Sequence, residues 1–251
     1  MQRILDHGAG LSHTAGVTPA SRTRGPPGVA TPGAFFFWGS IVTRTVFLID
    51  GFNVYHSLRE AESVALRPLR WLDLQGLCSA LLHLVPGRCE LDSVVYFSAL
   101  ARHLESSRPG TVARHLRYID ALQATGVQTV LGHFRRRATR CPLCGGWWQR
   151  WEEKKTDVAI ATRLLRIAAV GECERLVIMS GDTDIVPAIV EARDVWAADV
   201  GVVFPARRAN AQLRRVASWT ANLDAAWYER HQLPERLTAA DGRTVVRPPA
   251  W

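Results

Sequence analysis

Four aspartates carry the chemistry this sequence offers. Asp50 closes the apolar run Thr45-Val46-Phe47-Leu48-Ile49. Asp182 and Asp184 stand in Ser180-Gly181-Asp182-Thr183-Asp184, just after a second apolar run, and Asp157 opens the helix that precedes that run. Carboxylates gathered at one edge repel one another, and the usual remedy is a hard divalent cation such as Mg²⁺ or Mn²⁺. A cation held mainly by carboxylates keeps water-filled positions. That suits phosphodiester cleavage, in which a water is activated and the departing oxygen stabilised. Taken singly, each Asp reads equally as a helix cap or a turn residue. Taken together they point to a site, because Asp50 and Asp182 each follow a fully apolar strand and mark the same sheet edge. Asn53 either orients a water or phosphate or caps the next helix, Ser180 and Thr183 offer hydroxyls, and His56 is either structural or in reach of substrate.

Such a cluster needs a parallel sheet to assemble it. Five short runs, 45–49, 93–97, 127–131, 175–179 and 200–204, read as strands, the first of them apolar throughout, as a strand buried on both faces is. Helical spacing fills the intervals: Leu74, Leu77, Leu81 and Leu84 within 71–84; Val112, Leu116, Ile119 and Leu122 within 111–124; Ile160, Leu164, Ile167 and Ala168 within 156–170; and residues 185–195. Gly126 fits a helix end. This alternation predicts an α/β fold, a three-layer α/β/α sandwich around a mostly parallel central sheet. Residues 1–43, rich in Gly, Pro, Ser and Thr, read as disorder or as an extension upstream of the true translation start. Arg22 and Arg24 before Ala34-Phe35-Phe36-Phe37-Trp38 give only a short, late imitation of a signal sequence. The folded domain is expected over 44–230, with an irregular insertion at 132–151 and a loose tail at 231–251.

Composition narrows the partners. With 47% apolar residues among 251 there is ample core, and the uncharged stretch Pro26 to Thr43 carries three Pro and three Gly, so no span for a membrane is read. Lys+Arg at 31 against Asp+Glu at 23 leaves +8, which suits an anionic partner such as RNA. The excess is nearly all Arg, which GC-rich codon usage also produces. Five Cys, two of them in Cys141-Pro142-Leu143-Cys144, make no small secreted disulfide framework and point to a reducing cytoplasm.

The Cys-x-x-Cys-Gly form of Cys141 and Cys144 is half of a structural Zn²⁺ site. His133, His103, Cys89, Cys173 or the same knuckle from a second subunit, in a homodimer, are the candidates for the other half, and plain thiols are the alternative. A redox motif of the thioredoxin type belongs directly after a strand and before a helix, which this one does not. Arg135, Arg136, Arg137 and Arg140 precede the knuckle and Arg207 and Arg208 lie further on. They read as contacts to an RNA backbone or as a solvated face. Trp147, Trp148 and Trp151 are either stacking platforms for unpaired bases or a small apolar cluster. No Ser-His-Asp spacing and no phosphate-cradling glycine fingerprint is present.

Three blocks, Phe47-Leu48-Ile49-Asp50-Gly51-Phe52-Asn53-Val54-Tyr55, Glu153-Lys154-Lys155-Thr156-Asp157-Val158 and Ser180-Gly181-Asp182-Thr183-Asp184-Ile185-Val186-Pro187-Ala188, resemble in order and spacing those of the NYN domain family, relatives of the PIN-domain nucleases. The resemblance spans Thr45 to Tyr228. It implies a PIN-like fold and a metal-dependent ribonuclease site at Asp50, Asn53, Asp157, Asp182 and Asp184, dependent on Mg²⁺ or Mn²⁺ and acting on RNA. Arg163 stands where relatives often carry an acid six residues after the aspartate, which counts against a second metal. The competing readings are an RNA-binding adaptor that keeps the fold without turnover, and a hydrolase of small phosphate esters.

Overall fold

In the computed structural model, which describes residues 42–249 and 251, the first strand β1 (Thr43–Asp50) is buried along most of its length. Its side chains alternate between two cores: Phe47 and Ile49 enter one, Val46 and Leu48 the other. This is why its sequence is apolar without alternation. β1 lies between β2 (Cys89–Ala99) and β5 (Arg175–Met179), parallel to both. β3 (Gln128–Arg140), β6 (Asp199–Phe204) and β7 (Trp219–Asn222) extend the parallel array, and β4 (Trp147–Lys154) runs antiparallel on the edge. The resulting seven-stranded sheet has the order β4-β3-β2-β1-β5-β6-β7.

Helices cover both faces. The layer over Phe47 is built from α1 (Gly51–Ala65), α2 (Leu74–Leu81), α3 (Thr111–Ala124) and α7 (Ala225–Arg230). That over Val46 is built from α4 (Thr156–Val170), α5 (Val186–Trp196) and α6 (Ala211–Val216). This is the expected three-layer sandwich. The strand order reverses at β1: the chain leaves β1 through α1 on one face and β5 through α5 on the other. The carboxyl ends of these two neighbours therefore open a crevice, where sheets of this kind bind their ligands.

Two segments differ from the sequence expectation. The irregular insertion at 132–151 is instead a β-ribbon: β3 continues past the end of β2 and pairs with β4 from His133↔Lys154 to Arg140↔Trp147. Both faces of its outer part are exposed, so no apolar period marked it as strand. The expected loose tail is pinned. Leu233 and Pro234 bond to Trp71, and β8 (Arg236–Thr238) pairs with β9 (Thr244–Val246). Val245 is buried, and Trp251 packs on Tyr118 at 5.5 Å. Strands of three residues are too short to show a period. The expectations for residues 1–41 lie outside the described residues. Among the described residues, no helix is long and apolar enough to cross a membrane.

Candidate functional site

Three of the four aspartates meet at the crevice. Asp50, Asp157 and Asp182 each bring a carboxylate oxygen within 4.8 Å of the others. Each stands at the start of a helical segment: Asp50 caps α1, Asp157 lies in the first turn of α4, and Asp182 caps the 3-10 turn Thr183–Ile185 that leads into α5. The positive ends of these segments favour negative charge there.

Asp50 is 4% exposed, and both of its oxygens are engaged: Oδ1 accepts from the Asn53 backbone N–H at 3.0 Å and Oδ2 accepts from Ser180 Oγ at 2.7 Å. Ser180 Oγ in turn accepts from the Asp182 N–H at 3.0 Å, so one buried hydroxyl links two members of the trio. The Asn53 side chain does not face the trio with its carbonyl. Its Oδ1 accepts from the Gly181 N–H at 3.0 Å and ties the first turn of α1 to the loop after β5. At Gly181 an added Cβ would lie 2.2 Å from the Arg208 carbonyl oxygen, so the loop after β6 closes against the same point.

Asp157 is positioned by a contact that sequence reasoning missed. Glu153 Oε1 accepts from the Thr156 N–H at 3.1 Å and from its hydroxyl, fixing the junction of β4 and α4. No sequence signal marks this contact, since the capping-box spacing runs from Ser or Thr to an acid three residues later and here the acid comes first. Asp184 stays outside the trio: it is exposed, and its N–H donates to Asp182 Oδ1 at 3.0 Å. Arg163 points away from the site, toward Glu172 at the far end of α4 at 3.9 Å. His56 is exposed on α1.

The electrostatics match the crowding. Burial raises the Asp50 carboxyl above its ordinary value against the hydrogen bonds that lower it. Asp157 is pushed up to about 6, first by desolvation and then by the charges of Asp182 and Asp50. In the metal-free protein the folded state therefore holds a proton on Asp157 that the unfolded chain has released, and stability falls as pH rises from about 4 to about 6. Asp157→Asn removes that repulsion. At about pH 7.5 without metal it is expected to be more stable than the parent by about 1 kcal/mol, the nominal ~3 kcal/mol being discounted because the group is half-exposed. With excess Mn²⁺ the order is expected to reverse, because only the parent keeps all three carboxylates. Thermal unfolding of both proteins with Mn²⁺ and with chelator checks this, and an Asp157→Asn protein less stable than its parent in chelator contradicts it.

Basic segments flank the trio. At its base the ribbon packs through Phe134 on Phe52 of α1, edge-on at 5.6 Å, and His103 stacks on Trp151 at 4.9 Å. Directly opposed residues share a face, so Arg135, Arg137, Arg150 and Trp148 project from one side of the ribbon, and Arg136, Arg140, Trp147 and Trp151 from the other. Arg137 pairs with Glu152 at 3.4 Å and Arg140 Nε donates to the Gly145 carbonyl at 3.3 Å. Across the crevice Arg207 is exposed and Arg208 pairs with Glu60. The Arg208 carbonyl is the atom that abuts Gly181.

Cys141 and Cys144 occupy the tip of the ribbon, away from the trio. The proposed in-chain zinc ligands do not reach them. His103 is stacked at the ribbon's base, His133 lies on the ribbon where it leaves the sheet, and Cys89 and Cys173 are at the opposite sheet edge, both bonded to Arg175. Among the described residues the aspartate trio is the only group of three or more metal-binding side chains.

Sheet order, crevice and carboxylate trio together define a PIN-like α/β domain with a candidate metal site. The chain belongs to the NYN domain family, whose family model matches residues 44–223. It is 24% identical over 245 residues to 6-hydroxy-3-succinoylpyridine 3-monooxygenase HspA of Pseudomonas putida (strain DSM 28022 / S16), a match covering 83% of this chain and 75% of that protein. Among solved structures it is similar to a protein of unknown function, VPA0982, from Vibrio parahaemolyticus RIMD 2210633. There the identity is 19% and the TM-score 0.48, covering 76% of this chain and 97% of that one.

Proposed function

We propose that this protein is a metal-dependent ribonuclease, hydrolysing RNA phosphodiesters at the crevice. The observation that carries the reading is the trio of Asp50, Asp157 and Asp182 within 4.8 Å at the switch point of the sheet. The donor set fits a hard ion: all three ligands are carboxylates, and two of them are held above their ordinary pKa in a way that a cation would relieve. Mg²⁺ or Mn²⁺ bound there supplies water activation and stabilisation of the leaving oxygen. The chain's own residues do the positioning. Ser180 Oγ fixes the spacing of Asp50 and Asp182, Asn53 locks the start of α1 to the loop after β5, and Glu153 sets the start of α4 and so the place of Asp157. The basic ribbon and the Arg207-Arg208 loop on either side favour a polymeric anion over a small phosphate ester.

The Pseudomonas relative is named as a monooxygenase, whereas the carboxylate trio of this chain is a hard-oxygen donor set of the kind that suits Mg²⁺ or Mn²⁺. The test is incubation of single-stranded and hairpin RNA with the full chain in Mg²⁺, Mn²⁺ or EDTA. Cleavage that requires metal supports the reading. Salt-sensitive RNA binding without cleavage under any of these conditions replaces it with an RNA-binding adaptor. Replacing Arg135 and Arg136 together by Ala is expected to weaken RNA binding uniformly across sequences. It should flatten the dependence of log affinity on log salt by about 0.7 for each phosphate of a single strand that these side chains would otherwise neutralise. An unchanged slope, measured by anisotropy in EDTA, removes these two residues from the RNA surface.

A further inference from the structure

We propose that the ribbon tip is half of a zinc site, completed by the same tip of a second copy of this chain. One Zn²⁺ would then be held by Cys141 and Cys144 from each of two protomers. The inference does not rest on the ribonuclease reading.

The tip has the geometry of a metal knuckle before any metal is considered. Gly145 N–H donates to the Cys141 carbonyl at 2.9 Å and Cys141 N–H donates to the Gly146 carbonyl at 2.8 Å, closing a tight turn. Gly145 sits at φ +70, a conformation that favours glycine. The turn aims the N–H groups of Leu143 and Cys144 at the Cys141 sulfur. Backbone donors converging on a sulfur stabilise the thiolate, the form that binds metal. The Cys144 thiol also interacts with Cys141, so the two sulfurs lie together.

Zinc in a structural site takes four ligands, and the described residues of one chain supply two. Among the described residues no third Cys, His, Asp or Glu joins the pair. The ribbon extends β3 beyond its last pairing with β2 at Gly132, so no other part of the sheet accompanies it outward. A second copy is the occupant that the surroundings fit. Leu143 is 96% exposed and Trp147 is 69% exposed, so apolar surface flanks the sulfurs at a place where none of the described residues covers it. The charges also fit. Two like-charged tips repel when bare, but a zinc ion with four thiolates carries two net negative charges, which Arg140 of each protomer, bonded to Gly145 within the knuckle, would offset. Zinc and the arginines thus account together for a basic tip that carries cysteines.

The test uses the full chain, purified with a small excess of Zn²⁺ and measured by light scattering, native mass spectrometry and metal analysis. The expected result is a dimer with one tightly held zinc per two chains, shifting to the monomer mass when a strong zinc chelator is added. Cys144→Ser and Cys141→Ser are each expected to be monomeric and zinc-free with unchanged circular dichroism, since both side chains are at the tip. Asp182→Asn should keep its zinc, which separates this site from the aspartate trio. Replacing zinc by Co²⁺ should give the thiolate-to-cobalt absorption of four sulfurs per ion. One zinc per chain in a monomer, no retained zinc, or a dimer that persists in chelator and in Cys144→Ser would each overturn the proposal.

Discussion

Asp182→Asn is expected to lower metal-dependent RNA cleavage at least about 100-fold while leaving the fold and metal-free RNA binding intact. A metal ion contributes several kcal/mol of charge stabilisation to a phosphodiester transition state, and each 1.4 kcal/mol is about tenfold in rate. Replacing one of three carboxylates by a neutral amide weakens the ion's hold and takes that contribution away. The substitution is close to isosteric, and the structure shows why the surroundings survive it. Asp182 Oδ1 accepts from the Asp184 N–H at 3.0 Å, which an asparagine carbonyl accepts equally well, and the Asp182 N–H keeps its bond to Ser180. Asp184→Asn is the internal control. That side chain is exposed and outside the trio, so its loss is expected to change cleavage by only a few-fold, in contrast to the equal role that sequence reasoning assigns it. Cleavage at the parent rate by Asp182→Asn would remove the trio as the reactive centre. Equal losses in the two variants would mean that the ligand set is drawn wrongly.

The contrast between Asp182 and Asp184 shows what the sequence could disclose. Asp50 and Asp182 were legible because each ends a strand buried on both faces, and such a strand announces itself by an apolar run without alternation. Asp157 was legible because helix periodicity fixed the start of α4 and the family pattern singled out the residue. What the sequence left open is set by turns. Whether the second or fourth residue of Gly181-Asp182-Thr183-Asp184 faces the crevice depends on the 3-10 turn that Asp182 itself caps. The part played by Asn53 depends on which loop lies opposite it, and Gly181 from β5 takes its carbonyl. The ribbon was unreadable for a different reason. A strand pair with neither face buried has no apolar alternation, and its pairing follows from the turn at Cys141–Gly146 rather than from any core. The tail failed likewise, because three-residue strands carry too few residues for a period. Its anchors, Pro234 on Trp71 and Trp251 on Tyr118, are contacts across more than a hundred residues.

The same loop packing makes Gly181→Ala the substitution expected to damage stability and activity together. A Cβ there would lie 2.2 Å from the Arg208 carbonyl, so either the loop after β6 or the loop after β5 must give. The loop after β6 is the harder to move. The Tyr228 hydroxyl accepts from the Ala206 N–H at 2.9 Å, Ser57 Oγ donates to the Ala206 carbonyl at 2.8 Å, and the two hydroxyls are 2.7 Å apart with Tyr228 fully buried. Breaking into that network leaves buried polar groups unpaired, at about 1–3 kcal/mol each. The strain therefore falls on Gly181 and on its neighbours Ser180 and Asp182. Overpacking of this kind costs about 1–3 kcal/mol, or roughly 2–10 °C in Tm for a domain of this size. A displacement of about 1 Å at a reacting centre costs on the order of 100-fold in rate. Tyr228→Phe added to Gly181→Ala is expected to recover part of the activity, because it loosens the loop that would otherwise hold its ground, while costing stability of its own. Recovery of rate without recovery of Tm would show that the network on α7 holds the trio in register through Gly181. A Gly181→Ala protein with parental Tm and parental cleavage would show that the two loops are free to part.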